Sequence, residues 1–319
     1  MKCKWIKKLT AGIIFLAAVG SLSGCQKAAT SENLFRDIEV NMTSVESAEE
    51  NQIVKLQMGD GDSAISQESN LDIEMTRNPA SVHRKGQQKT NMAGTKETQE
   101  MESYQVEEDG KTVIYSGTDE AWEKNAVEEK ETSSQQTVLF DGLQNLSGAF
   151  NVSQDLATVN KEECFELTGT ISGTQFQETF ADTLKALLGE DSSDLSGWNL
   201  QASEDEENNE ELQQKLNNVK VDCVIDIYRS NILPAKITFD LTDYLKAAGE
   251  ENAQVTSYTL EVTFVSYNDT KKIKVPKAVK ESAKDNGEDE AENSTDEMLE
   301  EENQKQRQKQ KPLRESSRI

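Results

Sequence analysis

Three features of this 319-residue chain predict an α+β fold, in which an antiparallel sheet is apolar on one face and helices cover that face. The first is period-two alternation, clearest late in the chain. Val219, Val221, Cys223, Ile225 and Ile227 alternate with mostly polar neighbours, as do Ile237, Phe239 and Leu241, then Tyr258, Leu260, Val262 and Phe264. One apolar face per strand, repeated this often, describes a sheet covered on one side. The second is a set of stripes at helical spacing, which supply the cover. The third is composition: 34% hydrophobic residues, 59 Asp+Glu against 34 Lys+Arg, and a net charge of −25. That balance excludes a polytopic membrane protein and argues against a nucleic-acid partner, which a polyanion would repel. It also excludes a chain folded from end to end, because its most polar stretches cannot repay the entropy of ordering them.

Taken in order, a first helix starts near Ser31, with Leu34, Ile38, Met42 and Val45 on one face. A meander follows through Ile53–Met58, Leu71–Met75, Ser81–Met92, Glu97–Glu107 and Lys111–Ser116, with Asp109-Gly110 as a hairpin turn. Leu139, Leu143, Leu146 and Phe150 make a second helical stripe; Phe176, Phe180, Leu184, Leu187 and Leu188 make a third, with Thr174 as its N-cap and Gly189 at its end. Between them Glu163–Ile171 alternates as a strand. Glu190–Glu211 holds nine acidic residues and no basic one, and reads as an excursion that Trp198 tucks back. Ile273 and Val275 close the pattern before Pro276. Beyond it lie an acidic block, Glu281–Glu302, and a basic one, Asn303–Arg318, the composition of a solvated tail.

The first 24 residues stand apart. Lys2, Lys4, Lys7 and Lys8 precede an apolar run from Leu9 to Leu22, too short for a membrane span and of signal-peptide length. It ends in Leu22-Ser23-Gly24-Cys25, which resembles the lipobox of bacterial lipoproteins. The resemblance implies a signal peptide over 1–24, cleavage before Cys25, and a diacylglyceryl anchor on its thiol, with residues 25–30 as a tether. The protein would then sit on the outer, extracytoplasmic face of the cell membrane, held there by lipid. Only Cys164 and Cys223 remain to form a disulfide. Cys223 alternates in phase with Val221 and Ile225, and Cys164 out of phase with Phe165 and Leu167, which favours two unpaired thiols in a compartment that permits a bridge.

Tyr104, Tyr115 and Trp122, with Ser266-Tyr267-Asn268 leading to Ile273-Lys274-Val275-Pro276, carry a further resemblance. Spaced along this order of elements, they resemble the extracytoplasmic lipoproteins of the LolA/LppX/LprG-like group, especially uncharacterised Gram-positive members. The resemblance covers residues 31–276. It implies a strongly curved half-barrel sheet with helices on its concave apolar face, and a lipid or other apolar ligand between them. Phe176, Phe180, Leu184, Tyr258, Leu260 and Phe264 would line that cavity, although core packing alone also explains such stripes. The group has no catalytic residues to carry over. The acidic insert at 190–211 and the tail at 277–319 depart from its pattern.

No chemistry competes with this. His83, the one histidine, stands in the polar stretch Val82-His83-Arg84-Lys85 and is expected to face water. One histidine and two separated cysteines make no usual zinc site, and Asp60-Gly61-Asp62-Ser63 lacks the later glutamate of a calcium loop. Serine-hydrolase signatures and a phosphate-cradling glycine loop are missing. The chain therefore reads as a non-enzymatic binding lipoprotein without cofactor or metal. The alternative is an envelope scaffold of the same fold with a solid core and no ligand.

Overall fold

The computed structural model describes residues 29–60, 64–118, 121–127, 142–188, 206–248 and 254–285, with 127, 181–188 and 206–211 described by backbone alone. The lipobox, residues 189–205 and the tail beyond 285 lie outside these.

Helix α1 (Ser31–Met42) is capped by Thr30, whose side chain accepts from the Asn33 N–H, and buries Leu34, Phe35, Ile38 and Met42. Six strands follow: β1 (Ser47–Met58), β2 (Ile65–Arg77), β3 (Ala80–Met92), β4 (Thr95–Glu108), β5 (Lys111–Thr118) and β6 (Ala121–Val127). After α2 (Leu143–Leu146) come β7 (Phe150–Val159), β8 (Glu162–Ser172), α3 (Gly173–Leu188) and α4 (Glu206–Asn217). The chain continues through β9 (Lys220–Tyr228), β10 (Pro234–Asp240), α5 (Thr242–Ala248), β11 (Val255–Tyr267), α6 (Lys277–Ser282) and β12 (Lys284–Asp285).

The strands form one sheet in the order β12-β6-β5-β4-β3-β2-β1-β11-β10-β9-β8-β7. It is open, with edges at β7 and β12, and every neighbouring pair is antiparallel except the short β12–β6 contact. Asp109 and Gly110 both take positive φ in the two-residue turn between β4 and β5, as the Asp-Gly signal requires. Ala93-Gly94 and Asn160-Lys161 turn the same way between β3 and β4 and between β7 and β8.

The main core lies on one face of β8–β11, where side chains of α1, α2, α3, α4 and α5 pack on Leu167, Ile225, Ile237, Leu260 and their neighbours. The opposite face carries a second cluster. There Ile273, Val275 and Val279, on the segment after β11, cover Tyr104, Val106, Val113, Tyr115 and Trp122 of β4–β6. The chain thus returns from mid-sheet to its far edge as a strap.

Several elements differ from their sequence reading. Phe150 does not close a helix: α2 spans Leu143–Leu146 only, and Phe150 opens β7 opposite Gly169. Its ring occupies the space a side chain at 169 would need, with ring atoms 2.6 and 2.7 Å from where a Cβ would stand. Leu139 lies outside the described residues. The N-cap of α3 is Ser172, not Thr174, and Gln175 completes a capping box with it. The Gln175 N–H donates to Ser172 Oγ, and Gln175 Oε1 accepts from the Ser172 N–H. Thr174 instead donates its hydroxyl to Asn217 of α4. The last residues of the acidic excursion are helical, as the start of α4. Folded structure also continues past Pro276 through α6 and β12, because Val279 finds an apolar partner surface.

Candidate functional site

The helix-covered face is built first from α3. Its fixed N-terminus turns Phe176 and Phe180 inward, one helical turn apart, and both are fully buried. Their ring centroids lie 5.5 Å apart. Phe176 meets Phe239 of β10 at 5.3 Å and Tyr244 of α5 at 5.0 Å, and Phe180 meets Phe239 at 4.9 Å. These edge-to-face and tilted contacts are those of a close-packed core. Phe35 of α1 adds an edge-to-face contact with Phe150 at 5.2 Å.

Tyr258, Leu260 and Phe264 approach the same core from β11. Register sets them directly opposite Leu56, Val54 and Glu50 of β1. Five of the six residues singled out from the sequence therefore share one core. The sixth, Leu184, lies on α3 where the side chain is outside the described set.

Beyond β11 the character of this face changes. Val54, Leu56 and Met58 of β1 pack against the core but are only partly buried. The apolar floor extends one strand further than its cover. On the same side of β1, Glu50 and Gln52 are 2% and 1% exposed. Neither Glu50 oxygen has a hydrogen-bond partner, nor does Gln52 Oε1. Register continues the row from Glu50 through Ile73 to Arg84, and from Gln52 through Leu71 to Gly86. At Gly86 the β2 backbone comes so close that a Cβ would stand 1.9 Å from the Asn70 carbonyl oxygen. Burial pushes Glu50 up to about 7, while the positive charge of partly buried Arg84 pulls the other way.

Sequence reasoning missed Glu50 and Gln52 because it started this strand at Ile53. The signal was present: both stand in phase with Val54, Leu56 and Met58, so an apolar face carries two polar residues.

The other titratable groups lie elsewhere. Asp226, on the opposite face, is pushed up to about 6 by burial and by Glu166, with Lys236 opposing and Glu261 adding to the rise. Cys164 faces that same side, in a small cluster with Val159, Tyr228 and Ala235, whereas Cys223 belongs to the main core. The thiols are unpaired, as their alternation favours. Burial pushes Cys164 up to about 11 and Cys223 up to about 12, which leaves neither reactive.

His83 does not simply face water. Its ring stacks on Tyr104 at 4.3 Å, and its Nε2 lies 2.9 Å from Glu102. Trp122 is buried on the same face, 5.9 Å from Tyr104. Of the residues that carried the family resemblance, Tyr104, Tyr115, Trp122, Ile273 and Val275 meet in one cluster, whereas Tyr267 packs against the main core. Among the described residues, no three His, Cys, Asp or Glu side chains are grouped to hold a metal ion, and no helix is long and apolar enough to cross a membrane.

An open antiparallel sheet with helices on one face and a strap over residues 273–279 on the other defines the class. The chain belongs to a family of unknown function, DUF6612, whose pattern matches residues 30–284. It is similar to LprF from Mycobacterium bovis, at 11% identity and a TM-score of 0.42, over 77% of this chain and 96% of that one. It is also similar to the lipoprotein LppX from Mycobacterium tuberculosis, at 14% identity and a TM-score of 0.40, over 76% and 98%. A LolA superfamily protein from Nitrosomonas europaea follows at 10% identity and 0.21, over 79% and 97%. No curated protein matches the chain.

Proposed function

We propose that this chain is an extracytoplasmic lipoprotein, anchored through Cys25, that binds a lipid or other apolar ligand between sheet and helices without catalysing a reaction. The observation that carries this reading is the half-covered floor on β1. Val54, Leu56 and Met58 continue the main core but stay partly open. An acyl chain laid along them would extend the core by one strand and remove apolar surface from water, at about 25 cal/mol per Å². In this reading the sheet curls as a half-barrel. Tyr258 and Leu260 form the inner wall beside the ligand, Phe264 lies at its polar end, and Phe176 and Phe180 stand behind.

The test is the mature chain from Gln26 onward, produced without its anchor and extracted into organic solvent for mass spectrometry. A recurring apolar species in stoichiometric amount is the expected result. Extracts that repeatedly contain none would sink the proposal.

The second reading is an envelope scaffold of the same fold with a solid core. It is favoured by the aromatic rings of Phe176, Phe180, Phe239 and Tyr244, which pack on one another without exposure. It predicts lipid-free extracts, together with specific protein cross-links that depend on 190–211 or the tail.

A further inference from the structure

Glu50 and Gln52 are neighbours on one side of β1 and hold three acceptor oxygens that nothing in the described chain satisfies. A buried acceptor without a donor costs roughly 1–3 kcal/mol, more if it is charged. Gln52, between Val262 and Leu71, gains nothing from that cost in packing, and Glu50, between Phe264 and Ile73, is offset only by the charge of Arg84 beyond Ile73. Leucine at 52 would continue the floor of Val54 and Leu56 with no such penalty. The acceptors therefore mark a place where donors arrive from beyond the described residues.

We infer that Glu50 and Gln52 are the polar end of the ligand site and accept hydrogen bonds from hydroxyl groups on the head of an uncharged amphiphile, of the acylglycerol class. The inference rests on the apolar-ligand reading above and names the ligand's other end. Three features set the chemistry. Once Glu50 has lost its proton, above about pH 7, all three oxygens are acceptors, so the head must bring donors. The negative charge of Glu50 and the positive charge of Arg84 act on one another across Ile73. A cationic head would thus meet Arg84 and an anionic head would meet Glu50, whereas hydroxyls satisfy the acceptors without adding charge. Finally, the apolar floor begins immediately beside the acceptors, at Val54, so a head seated on Glu50 and Gln52 directs its chain along β1 toward Met58.

The experiment uses the full-length chain, immobilised in non-ionic detergent and challenged with three tritiated probes that share one acyl chain: 1-oleoylglycerol, oleate and oleylamine. Retention of 1-oleoylglycerol about tenfold above both charged probes is expected, a difference of about 1.4 kcal/mol. Free glycerol in millimolar excess should not displace it. Glu50→Gln and Gln52→Leu should each cut the preference about fivefold, while Glu166→Gln on the opposite face leaves it unchanged. Gln52→Leu should also unfold at the same or a higher temperature than the parent, because it removes an unsatisfied acceptor. A lowered unfolding temperature would show that Gln52 has its partner within the fold, and would overturn the inference. Equal retention of the three probes would overturn it too, yet leave the apolar-ligand reading standing. Retention of none would remove both. Displacement by glycerol would assign the acceptors to a free polyol and overturn the amphiphile.

Discussion

The two halves of the sheet bury their strands by opposite means. On β8–β11 five helices cover one face, and the inward positions are large and apolar almost without exception: Leu167, Ile225, Ile237, Phe239, Leu260 and Phe264. On β2–β6 the strands are mostly longer and more polar, and their main apolar cover, the strap Ile273–Val279, lies on the opposite face. The first half of the fold thus gains its order from hairpin pairing and two narrow clusters, the strap's and a smaller one of Ala48, Ile73, Met75 and Val82, the second from a conventional core. β1 stands at the seam and shares both characters: Leu56 and Val54 belong with the helices, Glu50 and Gln52 with the polar half. The lesson is that a site can lie where two modes of burial meet, because neither completes the seam alone.

Phe176→Ala is the largest test of this contrast. Removing a fully buried ring from the helix-covered core should cost about 3–5 kcal/mol in denaturant unfolding. Met101→Ala, at an exposed position on β4, should stay within about 0.5 kcal/mol. Similar losses at both sites would erase the distinction between the halves.

The seam should show in pH dependence. Glu50 is held up to about 7 by burial, against a usual carboxylate value of 4.5. Between those values the folded chain keeps a proton that the unfolded chain releases. Stability should therefore fall as pH rises from 4.5 to about 7, by on the order of 3 kcal/mol, and level off above. Glu50→Gln should flatten that decline in unfolding curves taken from pH 4 to 8. An unchanged slope in the variant would place the titration elsewhere, with Asp226 at about 6 the next group to test.

Smaller effects report on the strap. Val279→Ala removes part of the cover over Tyr115 and Trp122 and should cost about 1–2 kcal/mol. Hydrogen exchange should localise that loss to β5 and β6 and spare β8–β11. Lys280→Ala removes an exposed ion pair with Glu108 and should change stability by about 0.2–1 kcal/mol. A larger effect would mean that the strap is held by charge more than by its apolar residues.

Much of the apolar half was legible in the sequence, because there one physical pattern dominates. β9, β10 and β11 bury every second residue, and α1 buries Leu34, Ile38 and Met42 at helical spacing. The missed elements are those in which local pattern and burial part company. β7 is an edge strand with half its positions exposed and only its two ends buried, so Phe150–Val159 shows little alternation. The short α5 is buried through Tyr244, Leu245 and Ala248, too few residues to declare a period. Val279 is a single apolar residue whose burial depends on a surface about 160 positions earlier. For the site, the stripes of Phe176, Phe180, Tyr258, Leu260 and Phe264 were readable as one apolar environment. Glu50 and Gln52 were not, since two polar residues before an alternating run look like its solvated approach until register shows which way they point.

The seam also has a kinetic meaning. β1 is hydrogen-bonded on one side to β2, its immediate successor, and on the other to β11, with Val54 opposite Leu260. As the chain folds, the hairpins β1 to β6 can close one after another between sequence neighbours. One flank of β1 must wait, unpaired and partly apolar, until β11, more than 190 residues later, reaches it. Closing so distant a contact is the slow kind of step in β-rich folding, and an unpaired strand edge is also where one chain is most readily joined by another. Loss of Phe264 or Leu260 would thus lengthen the interval in which that edge is open and be felt first as aggregation during folding.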